Sequence, residues 1–161
     1  MSKPRYNWWP FVLNMIRDYP ERAKEIRELR QQKVTADLSG MPRGGEASRT
    51  TEGISMRELG DKQAQREYEA VHKALARTRA RADGKLRLDV VRTTMWKGYT
   101  IQGAATILNT SPDTAQRYRW QFIMLVGSCY GFLTEGEYLA AIKKEMGYKK
   151  LESQSQKDVL S

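Results

Sequence analysis

Apolar residues recur at three- and four-residue intervals along most of the chain, and strand-like alternation never persists beyond four or five residues. That rhythm predicts an all-α protein. Val12, Ile16 and Tyr19, then Ala23, Ile26 and Leu29, mark a first helix within "NWWPFVLNMIRDYPERAKEIRELRQQ". Pro10 suits its first turn, where a missing N–H costs nothing. Pro20 is expected to kink or split the helix, because it lacks a donor and crowds the carbonyl four residues back. Tyr68, Val71, His72, Leu75 and Thr78 form the stripe of a long helix over residues 61–81. Asp83-Gly84 supplies a stop, and "KLRLDVVRTTMWKG" reads as a further helix ended by Gly98. Gly127 and Gly131 are expected to interrupt the helix that follows, while Thr134 and Glu137 form a capping box for the last one. The final ten residues are polar and expected to fray.

Residues 35–60, rich in Gly, Ser, Thr and Pro and without a period, read as a linker. The chain therefore divides into an N-terminal helical segment (1–34), the linker (35–60), a helix-turn-helix domain (61–134), and a C-terminal helix with a tail (135–161). Trp8, Trp9, Phe11, Val12, Met15 and Ile16 are a heavy apolar load for so short a segment. Two uses are open. Either Trp8, Trp9, Phe11 and Ile16 form a docking surface for a partner protein or a second copy, or the segment folds back and completes the core of the C-terminal domain. "PRGG" lacks the spacing of a phosphate-binding nucleotide loop.

The most informative stretch is "TIQGAATILNTSPDTAQRYRWQFI", residues 100–123. Thr100 is placed to cap a short helix whose inner face is Ile101, Ala104, Ala105 and Leu108. Ala105 is small enough for a second helix to approach closely. Asn109 stands where the backbone needs a positive φ, which Asn tolerates. Ser111 and Pro112 then open the second helix as N-cap and first residue, with Asp113 favoured by the positive end of the dipole. Ala115, Tyr118, Phe122 and Leu125 form its buried stripe. Asp113, Gln116, Arg117 and Trp120 are left on the outer face, with Thr114, Arg119 and Gln121 at the flanks. Arg suits the acceptors of guanine, Gln suits adenine, and an Asp can accept from cytosine. The same pattern also fits an ordinary helical hairpin with a wet face.

Charge shifts the balance between those two. Lys73 to Lys97 holds eight basic residues against Asp83 and Asp89, so +6 of the net +9 lies within 25 residues directly ahead of the corner. Lys85, Arg87, Arg92 and Lys97 become candidate phosphate contacts beside Thr100, Ser111, Asp113, Thr114, Gln116, Arg117, Arg119 and Trp120. The expected partner is double-stranded DNA.

At this point "RYNWWPFVLNMIRDYP", "SGMPRGG", "REYEAVHKALART" and the corner resemble small regulators encoded by phages and prophages of Gram-positive bacteria, including the RinA- and ArpU-type activators of late genes. The corner is also similar to the region of sigma factors that reads the −35 promoter element. The resemblance spans roughly residues 5–133. It implies a sequence-specific transcription regulator, an activator of phage late genes that works with host RNA polymerase, and it carries Thr100, Ser111, Asp113, Thr114, Gln116, Arg117 and Arg119 over as DNA-facing. No region resembles the part of sigma factors that binds the −10 element. The alternative is a phage small terminase subunit recognising packaging-site DNA, though in those the DNA-binding domain usually precedes the oligomerising helices. A homodimer fits the regulator, whereas a terminase subunit is expected to form a ring of many subunits.

Other classes find little support. His72 is the single histidine and lies on a helix stripe. Cys129 is the single cysteine, in an apolar run, which points to a reducing, cytoplasmic setting in a bacterial host and to an inert thiol. Too few His and Cys are present for a metal site built from them, no cofactor is expected, and an enzyme is not expected. No apolar run approaches the roughly 20 residues that span a bilayer.

Overall fold

A computed structural model describes the backbone of residues 6–37 and 51–159 and the side chains of residues 6–32 and 61–147. The described residues are helical throughout, without a strand. In chain order they form α1 (Trp9–Asp37), α2 (Thr51–Arg79), α3 (Gly84–Val91), α4 (Ile101–Ile107), α5 (Pro112–Tyr130) and α6 (Glu135–Val159). The all-α expectation holds. Within the stretch read as a linker, residues 35–37 continue α1 and residues 51–60 open α2. Residues 38–50, which include "SGMPRGG", lie outside the described residues. The tail expected to fray is helical to Val159.

The core is built around α5. Phe122, Ile123, Met124, Leu125 and Val126 meet Val12, Met15 and Ile16 of α1, Val71 and Ala74 of α2, Val91 and Met95, and Tyr138 of α6. Val12 and Ile16 are completely buried, and each contributes roughly 1.5–3 kcal/mol by leaving water. The N-terminal segment folds back as one wall of the core, which places Ile16 inside it and not on an exposed face. Trp8, Trp9 and Phe11 pack against the same cluster and are partly buried.

Trp8 shows how closely the wall fits. Its ring stacks on Phe132 at 5.6 Å between centroids and on Tyr6 at 5.0 Å. A Cβ on Gly127 would come within 2.8 Å of that indole. Gly127 therefore makes room for Trp8 and does not interrupt α5. The helix ends at Gly131, whose φ of 111° a side chain would resist. The amides of Gly131 and Phe132 close the end onto the Ser128 and Gly127 carbonyls at 3.2 and 2.9 Å, the usual finish around a left-handed residue.

Pro20 lies inside α1, which runs through it without being split. The carbonyl that Pro20 leaves without its helical donor is that of Ile16. The indole of Trp96 donates to it at 2.7 Å. Trp96 reaches that point from the π-type turn Arg92–Trp96 that continues α3, where the Lys97 amide bonds the Arg92 carbonyl at 3.0 Å. Within this turn the Thr93 and Thr94 hydroxyls donate to the carbonyls of Asp89 and Val90 just ahead of it, both at 2.7 Å. Such back-bonding by threonine often accompanies bends in helices.

Polar contacts finish the helix seams. Arg22 of α1 pairs with Glu67 of α2 at 2.8 Å, and Gln63 donates to the same carboxylate at 3.1 Å. Tyr19, Tyr68 and His72 stack across the same seam, with the Tyr19 hydroxyl 3.0 Å from His72 Nδ1. Arg77 of α2 grips Glu135 at the start of α6 through two bonds of 2.6 and 3.2 Å. The α6 start is also capped: the Thr134 amide donates to Glu137 at 2.8 Å, and Thr134 Oγ1 accepts from the Glu137 amide at 3.2 Å.

Candidate nucleic-acid interface

The corner between α4 and α5 is built from local chemistry at every step. Thr100 caps α4, its hydroxyl accepting from the Gly103 amide at 3.1 Å. Asn109 adopts φ 51°, the one positive φ outside glycine among the described residues. The Asn109 and Thr110 amides fold back onto the carbonyls of Thr106 and Ala105 at 3.3 and 2.9 Å, closing the helix end around a left-handed residue. Ser111 then caps α5, accepting from the Thr114 amide at 3.2 Å, and Pro112 occupies its first position. Behind the corner a small second core of Val90, Ala105, Ala115 and Tyr118 joins α3, α4 and α5.

This leaves Ser111, Asp113 and Gln116 exposed on the first turns of α5, with Thr100 exposed at the start of α4. Thr114 and Arg117 are half-buried beside them, and the Arg117 guanidinium lies 5.6 Å from the centre of the Tyr118 ring. The corner thus gathers five of the expected residues, Ser111, Asp113, Thr114, Gln116 and Arg117, on one short element.

Three others are placed differently from the expectation. Arg87 does not reach out as a phosphate contact. Its Nε pairs with Asp83 at 2.7 Å, its guanidinium lies 4.2 Å from the centre of the Tyr118 ring, and it donates to the buried Gln121. Burial acts to raise the Asp83 carboxyl, but bonds from Arg87 and Tyr118 outweigh it and hold that group below the usual carboxylate range. Arg119 is half-buried and turned inward, its Nε 3.2 Å from the Met95 sulfur. Burial first, and Arg17 second, push its guanidinium below the usual arginine range. Trp120 is partly buried against the main core and is not free on the outer face. In each case helical spacing placed the Cα correctly, but a long side chain turned toward a neighbour far away in sequence.

Lys85, Arg92 and Lys97 are exposed. Lys85 and Arg92 line an open cleft of about 400 Å³ together with Arg79, Arg81, Ala82 and Leu88. Arg79 and Arg81 of the basic segment join the candidate phosphate contacts here, and their signal in the sequence is that Lys85, Leu88 and Arg92 fall at helical spacing opposite the end of α2. The thiol of Cys129 is half-buried, and burial pushes its pKa up despite Arg77 beside it, so it stays protonated at neutral pH. Among the described residues no group of His, Cys, Asp and Glu is arranged to hold a metal ion. No described helix is long and apolar enough to cross a membrane. Compared with known families, curated proteins and solved structures, the chain finds no match.

Proposed function

We propose that this chain is a sequence-specific DNA-binding regulator in which α4, the Asn109 turn and α5 act as a helix-turn-helix, with α5 entering the major groove. The observation that carries the reading is the corner itself. A doubly capped turn presents Ser111, Asp113 and Gln116 to solvent with Arg117 beside them, on a helix whose other face is locked into the core. Those are the groups that meet base edges and flanking phosphates. The basic excess ahead of the corner supplies the sequence-independent attraction. The resemblance to phage late-gene activators extends the proposal to promoter DNA and to activation through host RNA polymerase.

Fluorescence anisotropy with duplex DNA across a salt series tests the DNA part. If about six phosphates are neutralised, log affinity falls against log salt with a slope near −5, and a slope shallower than about −2 removes the reading. Mapping bound fragments of a phage or prophage genome tests the biological part. A peak upstream of late genes supports activation, whereas a peak within terminase genes supports packaging.

A further inference from the structure

The cleft at the end of α2 offers a second site. Its walls are Arg79 and Arg81 from the end of α2 and the turn after it, with Lys85 and Arg92 from α3 and the turn that extends it. Its remaining lining is Ala82 and Leu88, and no acidic side chain lines it. Other arginines nearby are committed: Arg77 to Glu135, and Arg87 to Asp83. Arg79 and Lys85 have no carboxylate partner among the described residues, and Arg92 meets Asp89 only at 3.5 Å. Arg81 reaches the neutral Tyr138 hydroxyl at 3.4 Å. Four cations around one hollow repel one another unless an anion sits between them.

The shape of the cleft narrows the choice of anion. It is open, and no ring or amide side chain lines it to hold a nucleobase. Its polar lining is Arg and Lys alone, which suits recognition of charge along a phosphate backbone. Three guanidinium forks around one opening suit phosphate oxygens. The cleft also uses a different face of α3 from the corner. Leu86 and Val90 of α3 pack toward α4 and α5, while Lys85, Leu88 and Arg92 line the hollow.

We infer that the cleft of Arg79, Arg81, Lys85 and Arg92 is a phosphate-binding site that takes the backbone of DNA beyond the base pairs met by α5. The DNA part rests on the function proposed above, and the phosphate part does not. A bound duplex then has to be long enough, or bent enough, to meet two faces of the protein. Contacts of this kind lengthen the footprint and add affinity without adding sequence preference.

Two measurements separate these parts. In the first, tripolyphosphate is titrated into the full-length protein at constant ionic strength, and backbone amide shifts are followed by NMR. Saturable shifts confined to residues 79–92, absent in an Arg79→Gln/Lys85→Gln variant of unchanged melting temperature, support the site. Shifts that are absent, scattered over all basic surfaces, or unchanged in the variant overturn it. In the second, the same variant is compared with the parent on short and long duplexes containing the bound sequence. Against a duplex of about 12 base pairs, roughly one helical turn, it should lose less than about twofold. Against one of about 36 base pairs it should lose about tenfold, with the salt slope shallower by about two units. Equal losses on both lengths, or none on either, overturn the extended path. If the parent protein binds neither duplex, the proposed function fails while the tripolyphosphate result still stands or falls alone.

Discussion

The indole nitrogen of Trp96 stands 2.7 Å from the carbonyl oxygen of Ile16, 80 positions away, and donates to it. This joins two breaks in helical regularity into one contact. A proline in α1 strips a carbonyl of its donor, and a widened turn after α3 swings a tryptophan round to replace it. Trp96→Phe keeps the aromatic packing on Tyr19, whose ring centre is 6.0 Å away, but leaves the Ile16 carbonyl without a donor. The expected cost is about 1–3 kcal/mol, read by urea unfolding. Pro20→Ala returns a backbone N–H to that carbonyl, so Trp96→Phe should cost clearly less in the Pro20→Ala background. Strictly additive losses would show that the two positions do not share the carbonyl.

Removing α1 should not leave a folded unit. A fragment starting at Asp61 lacks Val12, Met15 and Ile16 and exposes the faces of α2 and α5 that cover them. It should aggregate, or show no cooperative melting by circular dichroism. A soluble fragment with a sharp transition would mean that α1 is dispensable to the core.

Basic residues of the segment and of the corner should fall into three groups. Arg87→Ala breaks the contacts with Asp83, Tyr118 and Gln121, so it should lower the thermal midpoint by several degrees, equivalent to about 1–2 kcal/mol. Lys97→Ala should leave melting unchanged and weaken binding to cognate and random duplexes alike. Arg117→Ala should cost roughly 1–3 kcal/mol on the preferred sequence and little on random DNA. Differential scanning fluorimetry and anisotropy, run in parallel on the three variants, separate the groups.

Acid should loosen the seam between α3 and α5. The Asp83 carboxyl is held below its ordinary value in the folded protein. Its contribution is therefore complete above about pH 4, the ordinary aspartate value, and is lost as pH falls through the lower folded value. The Glu137 carboxyl is lowered by the Thr134 amide, and the Glu135 carboxyl by Arg77, so both act in the same direction. The melting-temperature gap between the parent and Asp83→Asn should be constant from neutral pH to about 5 and narrow as pH falls below the ordinary aspartate value. A gap that widens on acidification would contradict that sign.

How much of this was legible in the chain depends on the range of the interaction. Thr100, Asn109, Ser111-Pro112 and Thr134–Glu137 were readable because each partner lies within a few residues, and the structure makes those bonds. The fate of α1 was not readable. An apolar stripe signals burial without naming the surface that buries it, and Val12 and Ile16 could have met a partner as well as α5. The continuity of α1 through Pro20 was hidden for the same reason, since the carbonyl it frees is met by Trp96. Gly127 resembled a helix breaker and proved to be a notch for Trp8, a role visible only once the two are side by side. At the candidate interface, spacing found the corner, but the inward turns of Arg87, Arg119 and Trp120 depended on Gln121, Met95 and the core.

The way α1 closes the core also bears on how the protein is made. Ile16 and Val126 belong to one buried cluster but are separated by 110 positions along the chain. At about 5–20 residues per second, a ribosome needs roughly 5–20 s to carry synthesis from one to the other. Throughout that interval the nascent amphipathic helix has at most α2 and the α3 region to pack on, and the α5 side of the core that completes the burial of Val12 and Ile16 is still missing. Each new copy therefore passes through a window in which chaperone capture competes with self-association, and it closes only when α5 has left the exit tunnel.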